Sequence, residues 1–513
     1  MAADQDRLKF HLMPKTGWLN DPNGLCQFNG TYHIYYQYTP FEPTGELKTW
    51  GHYTTKDFIH YEDFGPVVFP DEDIDAHGVY SGSAFIEDDT IHYFYTGNLK
   101  YFDRDDYDYI NSGRGSNTIT FTSKDGYEFT KKELLMTTDD YPADMSNHVR
   151  DPKIFKKNEK YYMVLGARDV EGVGMILLYE STDLKNWTYK NRITTPQKFG
   201  YMWECPDLFE MDGQLYIICC PQGVETQGID YENVHQVTAM KLDYDFDTDE
   251  YEITDIKLFD RGFDFYAPQT FEDESGRRIL IGWMGIPDAD YTNPTEEAGW
   301  QHALTIPREL SVRDGKLIQE PIEELKQLRS EDKAVCTFCY GQTIIMQNAI
   351  YEAVVDFKRC REMVMTLREG ITLSYKDNIL TLNLGVYGSG RSTRKVRLEK
   401  LEHLQIFADT SSLEIFVNHG EEVFTTRIYN HYGRLLINGE CSGIMTVYPL
   451  KSFESKEEDM KNKLCGIGEA LIDFIPEVKG QRLKDVPSFK RVAGGAPANV
   501  VGQLRSLVFH PNF

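Results

Sequence analysis

The sequence has no apolar run long enough to cross a membrane, because no stretch approaches about 18 consecutive apolar residues. Residues 1–10 are polar and charged, and they lack the apolar core of a secretory signal. Both absences predict a protein that neither spans a membrane nor leaves the cell. The expected location is the cytoplasm.

Basic residues are also scarce. The 513 residues include 54 Lys and Arg against 81 Asp and Glu, which gives a formal net charge of −27. Binding to nucleic acid depends on a basic surface that neutralises phosphates, so this balance argues against a nucleic-acid partner. We expect a small, neutral ligand instead.

Cysteines are few and unpatterned. There are nine, an odd number, and they are scattered without the spacing of a disulfide framework. The pair Cys336 and Cys339 forms a CxxC, but no second pair follows at zinc spacing, so we interpret it as structural. A reducing compartment suits this usage, in agreement with a cytoplasmic location.

Aromatic residues are abundant, with 32 Tyr and 29 Phe, and they favour strands. A polar reversal followed by an apolar, β-rich run occurs five times, and the runs begin at residues 32, 91, 161, 215 and 279. A repeat of this length, holding several short strands, is typical of a propeller blade. The sequence therefore predicts an all-β, five-bladed β-propeller. A plain β-sandwich with accidental spacing is the alternative.

Five polar positions share one phase of this repeat. They lie 10 to 13 residues before the five runs, and they are Asp21, Ser81, Asp151, Glu204 and Tyr266. Residues at one phase of a propeller repeat occupy equivalent places on every blade. If that phase is the innermost strand, all five face the central channel, and the three carboxylates converge.

Three domains are expected along the chain. The propeller occupies residues 8–320, and a β-sandwich with alternating apolar and polar residues occupies 330–452. A helix over 318–329 is expected to link them. Residues 464–513 form a short α/β segment of different character.

Converging carboxylates are suited to glycoside cleavage. A retaining glycosidase uses one carboxylate as nucleophile and a second carboxyl, about 5–5.5 Å away, as general acid/base. Crowding raises the pKa of at least one of them, as a general acid requires. No His accompanies these carboxylates at ligand spacing, so we predict neither a metal site nor a cofactor.

The motifs that carry these residues resemble those of glycoside hydrolase family 32, the invertase and sucrose-6-phosphate hydrolase family. Trp18–Gly24, Arg150-Asp151-Pro152 and Glu204-Cys205-Pro206 are the most specific. Tyr80–Ala84, Phe265–Gln269 and Ala303–Leu310 agree in the same order, although Tyr80 stands where Phe is expected. The resemblance covers about residues 8–450 and implies a five-bladed propeller followed by a sandwich.

The resemblance also implies roles. Asp21 would be the nucleophile, Glu204 the general acid/base and Asp151 the residue that holds fructose hydroxyls and stabilises the transition state. The implied activity is that of a β-fructofuranosidase acting on sucrose, sucrose 6-phosphate or short fructo-oligosaccharides. Candidates for the fructose pocket are Asn20, Gln37, Trp50, Ser81, Arg150, Tyr266 and Trp283.

Residues 464–513 resemble the start of a ribokinase-type fructokinase. The resemblance rests on an apolar strand at 464–475 that contains Asp473, and on the Gly-Gly-Ala-Pro-Ala-Asn stretch at 494–499. About 50 residues cannot hold the nucleotide site and catalytic base of such a kinase. We therefore expect a truncated fusion that does not phosphorylate sugars.

Several alternatives stay open. Fructosyl transfer shares the same intermediate, a propeller that only binds sugar would lack turnover, and an inverting enzyme would give the opposite anomer. A phosphate on the substrate could meet Lys100, Arg104 or Arg114, which are otherwise expected to be solvated surface. The sequence does not specify an oligomeric state.

Overall fold

The computed structural model describes residues 4–340 and 349–457, together with the strands Leu471–Pro476 and Phe489–Gly494. Strands dominate these ranges, and their helical segments are short 3-10 helices at Thr138–Asp140, Pro294–Glu296, Glu323–Leu328 and Gly385–Gly388. The predicted all-β architecture, with a propeller-like domain followed by a sandwich, is confirmed.

The propeller-like domain consists of five sheets that follow one another along the chain. The first contains β1 (Gly17–Phe28), β2 (Thr31–Thr39), β3 (Thr49–Thr55) and β4 (His60–Val68). The second contains β5 (Val79–Glu87), β6 (Thr90–Lys100), β7 (Arg114–Ser123) and β8 (Glu133–Met136). The third contains β9 (Met145–Lys157), β10 (Lys160–Asp169), β11 (Gly174–Ser181) and β12 (Thr188–Ile193).

The fourth sheet contains β13 (Met202–Met211), β14 (Gln214–Gln222), β15 (Thr238–Tyr244) and β16 (Tyr251–Leu258). The fifth contains β17 (Tyr266–Glu272), β18 (Arg278–Trp283), β20 (Arg308–Arg313) and β21 (Lys316–Pro321), and the short β19 (Trp300–Gln301) lies between β18 and β20 in sequence. The five apolar runs identified in the sequence are β2, β6, β10, β14 and β18, the second strand of each sheet.

The first strands of the five sheets form a closed ring. Strand β1 contacts β5, β5 contacts β9, β9 contacts β13, β13 contacts β17, and β17 contacts β1. Strand β19 also pairs in parallel with β1, so a segment that follows β18 belongs to the first sheet and ties the two ends of the ring together. The shared phase therefore lies on the innermost strands, as the repeat predicted.

Large apolar side chains fill the space between neighbouring sheets. Trp50, Tyr93 and Phe121 pack in one cluster between the first and second sheets, and Trp203 with Ile217 belongs to another between the third and fourth. Side chains on both faces of these strands are therefore buried between neighbouring sheets, while the backbone hydrogen bonds stay within each sheet. The inner strands are thus held on both sides, which fixes what they present to the channel.

The sandwich follows as β22 (Ala334–Cys339), β23 (Tyr351–Arg368), β24 (Ile371–Lys376), β25 (Ile379–Asn383), β26 (Thr393–Arg397), β27 (His403–Asp409), β28 (Ser412–Val417), β29 (Glu422–Arg427) and β30 (Gly433–Pro449). The long strands β23 and β30 pair along most of their length, and β24 and β27 pair with opposite halves of β23. Strand β31 (Glu454–Glu457) then returns to pair with β4.

A buried ionic network joins the sandwich to the propeller. His11 Nδ1 lies 2.8 Å from Asp409 Oδ2, and His11 Nε2 lies 2.9 Å from Glu414 Oε1. Arg308 Nη2 donates to the other oxygen of Glu414 at 2.5 Å. These side chains are inaccessible to solvent, so each charge depends on its partners for stabilisation.

The expected linker helix needs correction, and part of the expected C-terminal segment lies outside the described residues. The predicted linker helix over 318–329 is the end of β21 followed by the 3-10 helix Glu323–Leu328, because Pro321 interrupts a continuous helix. Residues from Glu458 onward form a separate unit, in which β32 (Leu471–Pro476) pairs with β33 (Phe489–Gly494). The Gly-Gly-Ala-Pro-Ala-Asn stretch predicted to resemble a sugar kinase lies outside the described residues beyond Gly494.

Candidate active site

Each innermost strand carries a β-bulge at the predicted phase. Two residues of the inner strand stand opposite one residue of its neighbour in every sheet, and the bulged pairs are Asn20-Asp21, Tyr80-Ser81, Asp151-Pro152, Cys205-Pro206 and Ala267-Pro268. Bulges bend a strand and redirect its side chains, and they recur beside active sites. Proline suits these positions because it has no N–H to contribute to the ladder.

The bulge backbone adopts left-handed conformations that side chains rarely favour. The φ angles are +65° at Asp151, +48° at Cys205 and +45° at Ala267. In the second sheet the bulge ends at Gly82, where a Cβ would lie only 2.1 Å from the carbonyl oxygen of Phe94. Such conformations cost of order 1–3 kcal/mol each and persist only where packing enforces them. The motifs that could be taken for turns are therefore strained segments of strand.

Asp21 is half-buried and is held by two neutral donors. Asn20 Nδ2 donates to Oδ1 at 3.0 Å, and the hydroxyl of Ser81 donates to Oδ2. Burial raises the pKa of Asp21, and these two hydrogen bonds oppose that rise. The Asp21 carboxylate is thus oriented by neutral donors, without an ion pair to its oxygens.

Glu204 receives hydrogen bonds at both oxygens. Arg150 donates to Oε1 from Nη2 at 2.5 Å and from Nε at 3.1 Å. Tyr266 OH donates to Oε2 at 2.6 Å, and Gln222 Nε2 donates to the same atom at 2.8 Å. Residues from β9, β14 and β17 therefore fix a carboxyl group that belongs to β13.

Asp151 lies close enough to both of these carboxylates to interact with their charges, and it is almost fully buried. The backbone N–H of Cys205 donates to its Oδ2 at 3.0 Å, and the Cys205 thiol lies 3.6 Å from the same atom. That thiol is also 3.7 Å from Asp21 Oδ2, so both aspartates contact the same sulfur atom. Burial, with repulsion from Glu204 and Asp21, raises the pKa of Asp151 to about 7 despite the nearby Arg150.

The other predicted site residues fall into two groups, with Trp50 apart from both. Asn20, Gln37 and Ser81 form one hydrogen-bonded chain beneath Asp21, because Asn20 donates to Gln37 Oε1 at 2.8 Å and Gln37 donates to Ser81 Oγ at 2.6 Å. Tyr266 and Trp283 form an aromatic wall with ring centroids 6.1 Å apart. Trp50 is 0% exposed and donates its indole N–H to Tyr80 O, so its ring lies in the core behind the bulge.

Sequence reasoning missed several neighbours of these groups. Gln222 lies at the end of β14, and Gln37 lies near the end of β2, so both are polar residues late in an otherwise apolar second strand. This shared position is a sequence signal that could have identified Gln222 as a site residue. Lys48 lies over the Trp18 ring at 5.0 Å, and burial lowers its pKa to about 7 although Asp21 opposes the change. His148, two residues before Arg150, accepts a hydrogen bond from Arg150 Nη1 at 2.8 Å.

The described residues contain no cluster of three or more His, Cys, Asp or Glu side chains that could hold a metal ion. Nor do they include a helix of the length and apolar character needed to span a bilayer.

A pair of oriented carboxyl groups and a third buried carboxylate, at the centre of a propeller-like ring, define a glycoside hydrolase. The chain belongs to glycoside hydrolase family 32: residues 11–321 match the N-terminal domain of that family, and residues 342–447 match its C-terminal domain.

The curated relatives agree with this membership. The chain is 38% identical over 443 residues to the sucrose-6-phosphate hydrolase of Staphylococcus xylosus, with 82% of this chain and 87% of the relative covered. It is 36% identical over 454 residues to the sucrose-6-phosphate hydrolase of Bacillus subtilis strain 168, with 86% and 92% covered.

Solved structures show the same fold. The structure of sucrose-6-phosphate hydrolase from Lactobacillus gasseri matches with a TM-score of 0.79 and 28% identity, covering 88% of this chain and 94% of that one. The β-fructofuranosidase BmSUC1 of Bombyx mori matches with a TM-score of 0.76 and 28% identity, covering 88% and 95%.

Proposed function

We propose that the chain hydrolyses terminal β-D-fructofuranosides by a retaining double displacement, with Asp21 as nucleophile and Glu204 as general acid/base. The observation that carries this proposal is the orientation of the two groups from opposite parts of one ring. Asp21 is held by neutral donors, as a nucleophile requires, whereas Glu204 is held by residues from three other strands.

In the first step the Asp21 carboxylate attacks the anomeric carbon of fructose, and the bond to the leaving oxygen breaks as Glu204 gives that oxygen a proton. The proton resides on Oε2, because the guanidinium of Arg150 can only donate to Oε1. The Tyr266 hydroxyl can turn to accept, so Oε2 can carry a proton and then release it. In the second step Glu204 removes a proton from water, which displaces Asp21.

Asp151 supports both steps. Its carboxylate accepts a hydrogen bond from the Cys205 N–H, and its other lone pairs can accept hydrogen bonds from fructose hydroxyls. These bonds hold the fructose ring, and the negative charge stabilises positive charge that develops on it. Asn20, Gln37, Ser81 and Arg150 supply further polar groups, and Tyr266 and Trp283 supply apolar walls. Trp50 takes the role of a support behind the pocket.

The experiment that tests this function compares sucrose, sucrose 6-phosphate and short fructo-oligosaccharides side by side. Reducing sugar should be released from at least one of them. The first fructose formed should have the β configuration, which proton NMR can follow before mutarotation. Binding without release would favour a sugar-binding propeller, and fructose of the α configuration would contradict the retaining mechanism.

Sucrose and sucrose 6-phosphate are the proposed substrates, since the curated relatives are named for the phosphorylated sugar. Fructosyl transfer is the second candidate, because the fructosyl-enzyme intermediate can react with a sugar hydroxyl instead of water. Product analysis at high sucrose concentration separates the two. Five buried cysteines, Cys26, Cys205, Cys219, Cys220 and Cys441, are free thiols, which supports the cytoplasm as the site of action.

We further propose the division of the chain into a five-bladed propeller at 8–320, a sandwich at 330–452 and a fructokinase-like segment at 464–513. The family matches end at residue 447, before that segment. Its motifs support a relationship to sugar kinases.

A further inference from the structure

The wall beside Glu204 is rich in cations that have no carboxylate partner, although the protein is strongly acidic. Arg114 is only 2% exposed, and its guanidinium donates to two neutral groups, Tyr109 OH at 3.1 Å and Asn98 Oδ1 at 2.8 Å. The Nε atom of Arg114 has no hydrogen-bond partner among the described residues. A buried charge of this kind normally has a counter-ion.

A second arginine, Arg168, acts on the same imidazole, His148, as Arg114 does, and it also has a guanidinium nitrogen without a hydrogen-bond partner among the described residues. Its guanidinium stacks on the ring of Tyr201 at 4.9 Å, and the nitrogen in question is the buried Nε. Lys198 is exposed on the same rim. A Cβ built on Gly172 would lie 3.5 Å from Arg168 Nη2 and 3.7 Å from Lys198 Nζ, so the two cations flank one glycine.

His148 links these cations to Glu204. Burial, followed by the charges of Arg150, Arg114 and Arg168, lowers the pKa of His148 to about 2, so this imidazole is neutral. Its Nδ1 accepts from Arg150, which in turn holds Glu204. Three guanidinium groups thus surround one neutral ring immediately behind the general acid.

The nearby carboxylates do not balance this charge. Glu204 is already engaged by Arg150, and Asp108 faces Arg168 from an exposed loop where it accepts backbone N–H groups of that loop. Among the described residues, no carboxylate forms a salt bridge with Arg114, Arg168 or Lys198. The side of the channel that receives the leaving group is therefore electropositive.

We propose that Arg168 and Lys198, backed by the buried Arg114, form a subsite for a phosphate monoester carried by the leaving sugar. The proposal rests on the function above, because the leaving sugar must lie against the residue that protonates it. A phosphate at C6 of the departing glucose is several bonds from the glycosidic oxygen, so it projects past Glu204 toward the rim. Arginine suits a phosphate because its planar fork donates two parallel hydrogen bonds.

The opposite rim offers a different cation, Lys48, which lies beside Asp21 rather than Glu204. Arg104, by contrast, is exposed and fully engaged by Asp106 at 2.8 Å through two nitrogens. Arg104 therefore matches the expectation of solvated surface, whereas the buried Arg114 does not. The test must separate the Arg168 rim from the Lys48 rim.

The decisive experiment measures kcat/KM for sucrose 6-phosphate and for sucrose with the full-length wild type, Arg168→Gln, Lys198→Gln and the double variant. The control is Arg361→Gln with Lys400→Gln, which removes two exposed, paired cations from the sandwich. The ratio of the two kcat/KM values should fall about 10- to 100-fold in the double variant and stay at the wild-type value in the control.

Calorimetry of glucose 6-phosphate binding gives a readout that does not depend on turnover. Its Kd should rise in the double variant by a factor similar to the change in the ratio. If the double variant kept both the wild-type ratio of kcat/KM values and the wild-type Kd, the proposed subsite would be wrong. It would also be wrong if the same fall in the ratio occurred in Lys48→Gln and not in the double variant. If the wild type releases no fructose from either sugar but binds glucose 6-phosphate through Arg168, the proposed function fails and the subsite stands.

Discussion

Arg150 holds Glu204 across the boundary between the third and fourth sheets, with two of its nitrogens on Oε1 and none on Oε2. Arg150 therefore fixes Oε1, whereas Oε2 is held by the Tyr266 hydroxyl and by Gln222. Two neighbouring inner strands thus position one carboxyl group, the fourth sheet by supplying Glu204 and the third by orienting it.

Replacement of Arg150 by Lys should remove this orientation while keeping the positive charge. We expect kcat for sucrose to fall about 10- to 100-fold, since a hydrogen bond to a charged group contributes about 1.5–3 kcal/mol. A fructoside with a better leaving group needs less protonation, so its cleavage should suffer less. Steady-state kinetics with both substrates checks this, and an equal loss for both would argue against a role through Glu204.

Asp21→Asn should abolish turnover and stabilise the fold. The loss of the nucleophile should cost several orders of magnitude in kcat. Because burial raises the pKa of Asp21, the charged form is disfavoured in the native state, and the neutral amide should raise the free energy of unfolding by roughly 1–3 kcal/mol. Urea denaturation at pH 7 measures the second effect, with Ser83→Ala as a matched change at another buried polar position of an inner strand.

Asp151 should give the protein an unusual pH dependence of stability. Its pKa is about 7 in the folded state and about 3.9 in an unfolded chain, so the native state binds the extra proton between these values. The free energy of unfolding contributed by this group should therefore fall as pH rises from about 4 to about 7. The difference between wild type and Asp151→Asn, followed by urea denaturation across that range, should show this slope.

The same titration should appear in catalysis. The Asp151 carboxylate must be ionised to stabilise positive charge on the fructose ring, so kcat/KM should decline as pH falls below about 7. In Asp151→Asn the activity should be low and should no longer follow this acidic limb. A wild-type profile flat from about pH 5 to about pH 7 would contradict the assignment.

His11 should be essential for the attachment of the sandwich to the propeller. Its replacement by Ala leaves Asp409 and Glu414 buried without their shared partner, which should destabilise the protein by about 3–5 kcal/mol. The pKa of His11 is raised against burial by these two carboxylates, so its contribution is present at low pH and is lost as pH rises through the folded pKa. Thermal unfolding of His11→Ala and of the exposed His60→Ala measures the difference.

The residues that could be foreseen from the sequence are those whose spacing repeats. Asp21, Asp151 and Glu204 recur at one phase, so their strands can be aligned by counting residues along the chain. Arg114 does not share that phase, and its partners Tyr109 and Asn98 lie on the preceding loop and strand of its own sheet, where no repeat marks them. Trp50 shows the same limit, because a strand buried on both faces gives no pattern that distinguishes the channel side from the core side.

The structure does not contain the continuous helix expected at 318–329, and both a local and a tertiary cause account for this. Its spacing of apolar residues suits a helix, but Pro321 and the pairing of β21 with β20 decide the outcome. Tertiary pairing overrides a weak local preference here, as it commonly does.

The repeated bulge has a consequence for how the chemistry of this ring can change. The backbone distortion is present in all five inner strands, yet only three of them carry a carboxylate beside it. The geometry of the reaction centre is therefore supplied by the scaffold, and the reagents are supplied by single side chains. Ala267 and Ser81 occupy the same bulge positions as Cys205 and Asp21, respectively. A substitution at Ala267 or Ser81 therefore changes the side chain that faces the channel while the bulged backbone stays the same.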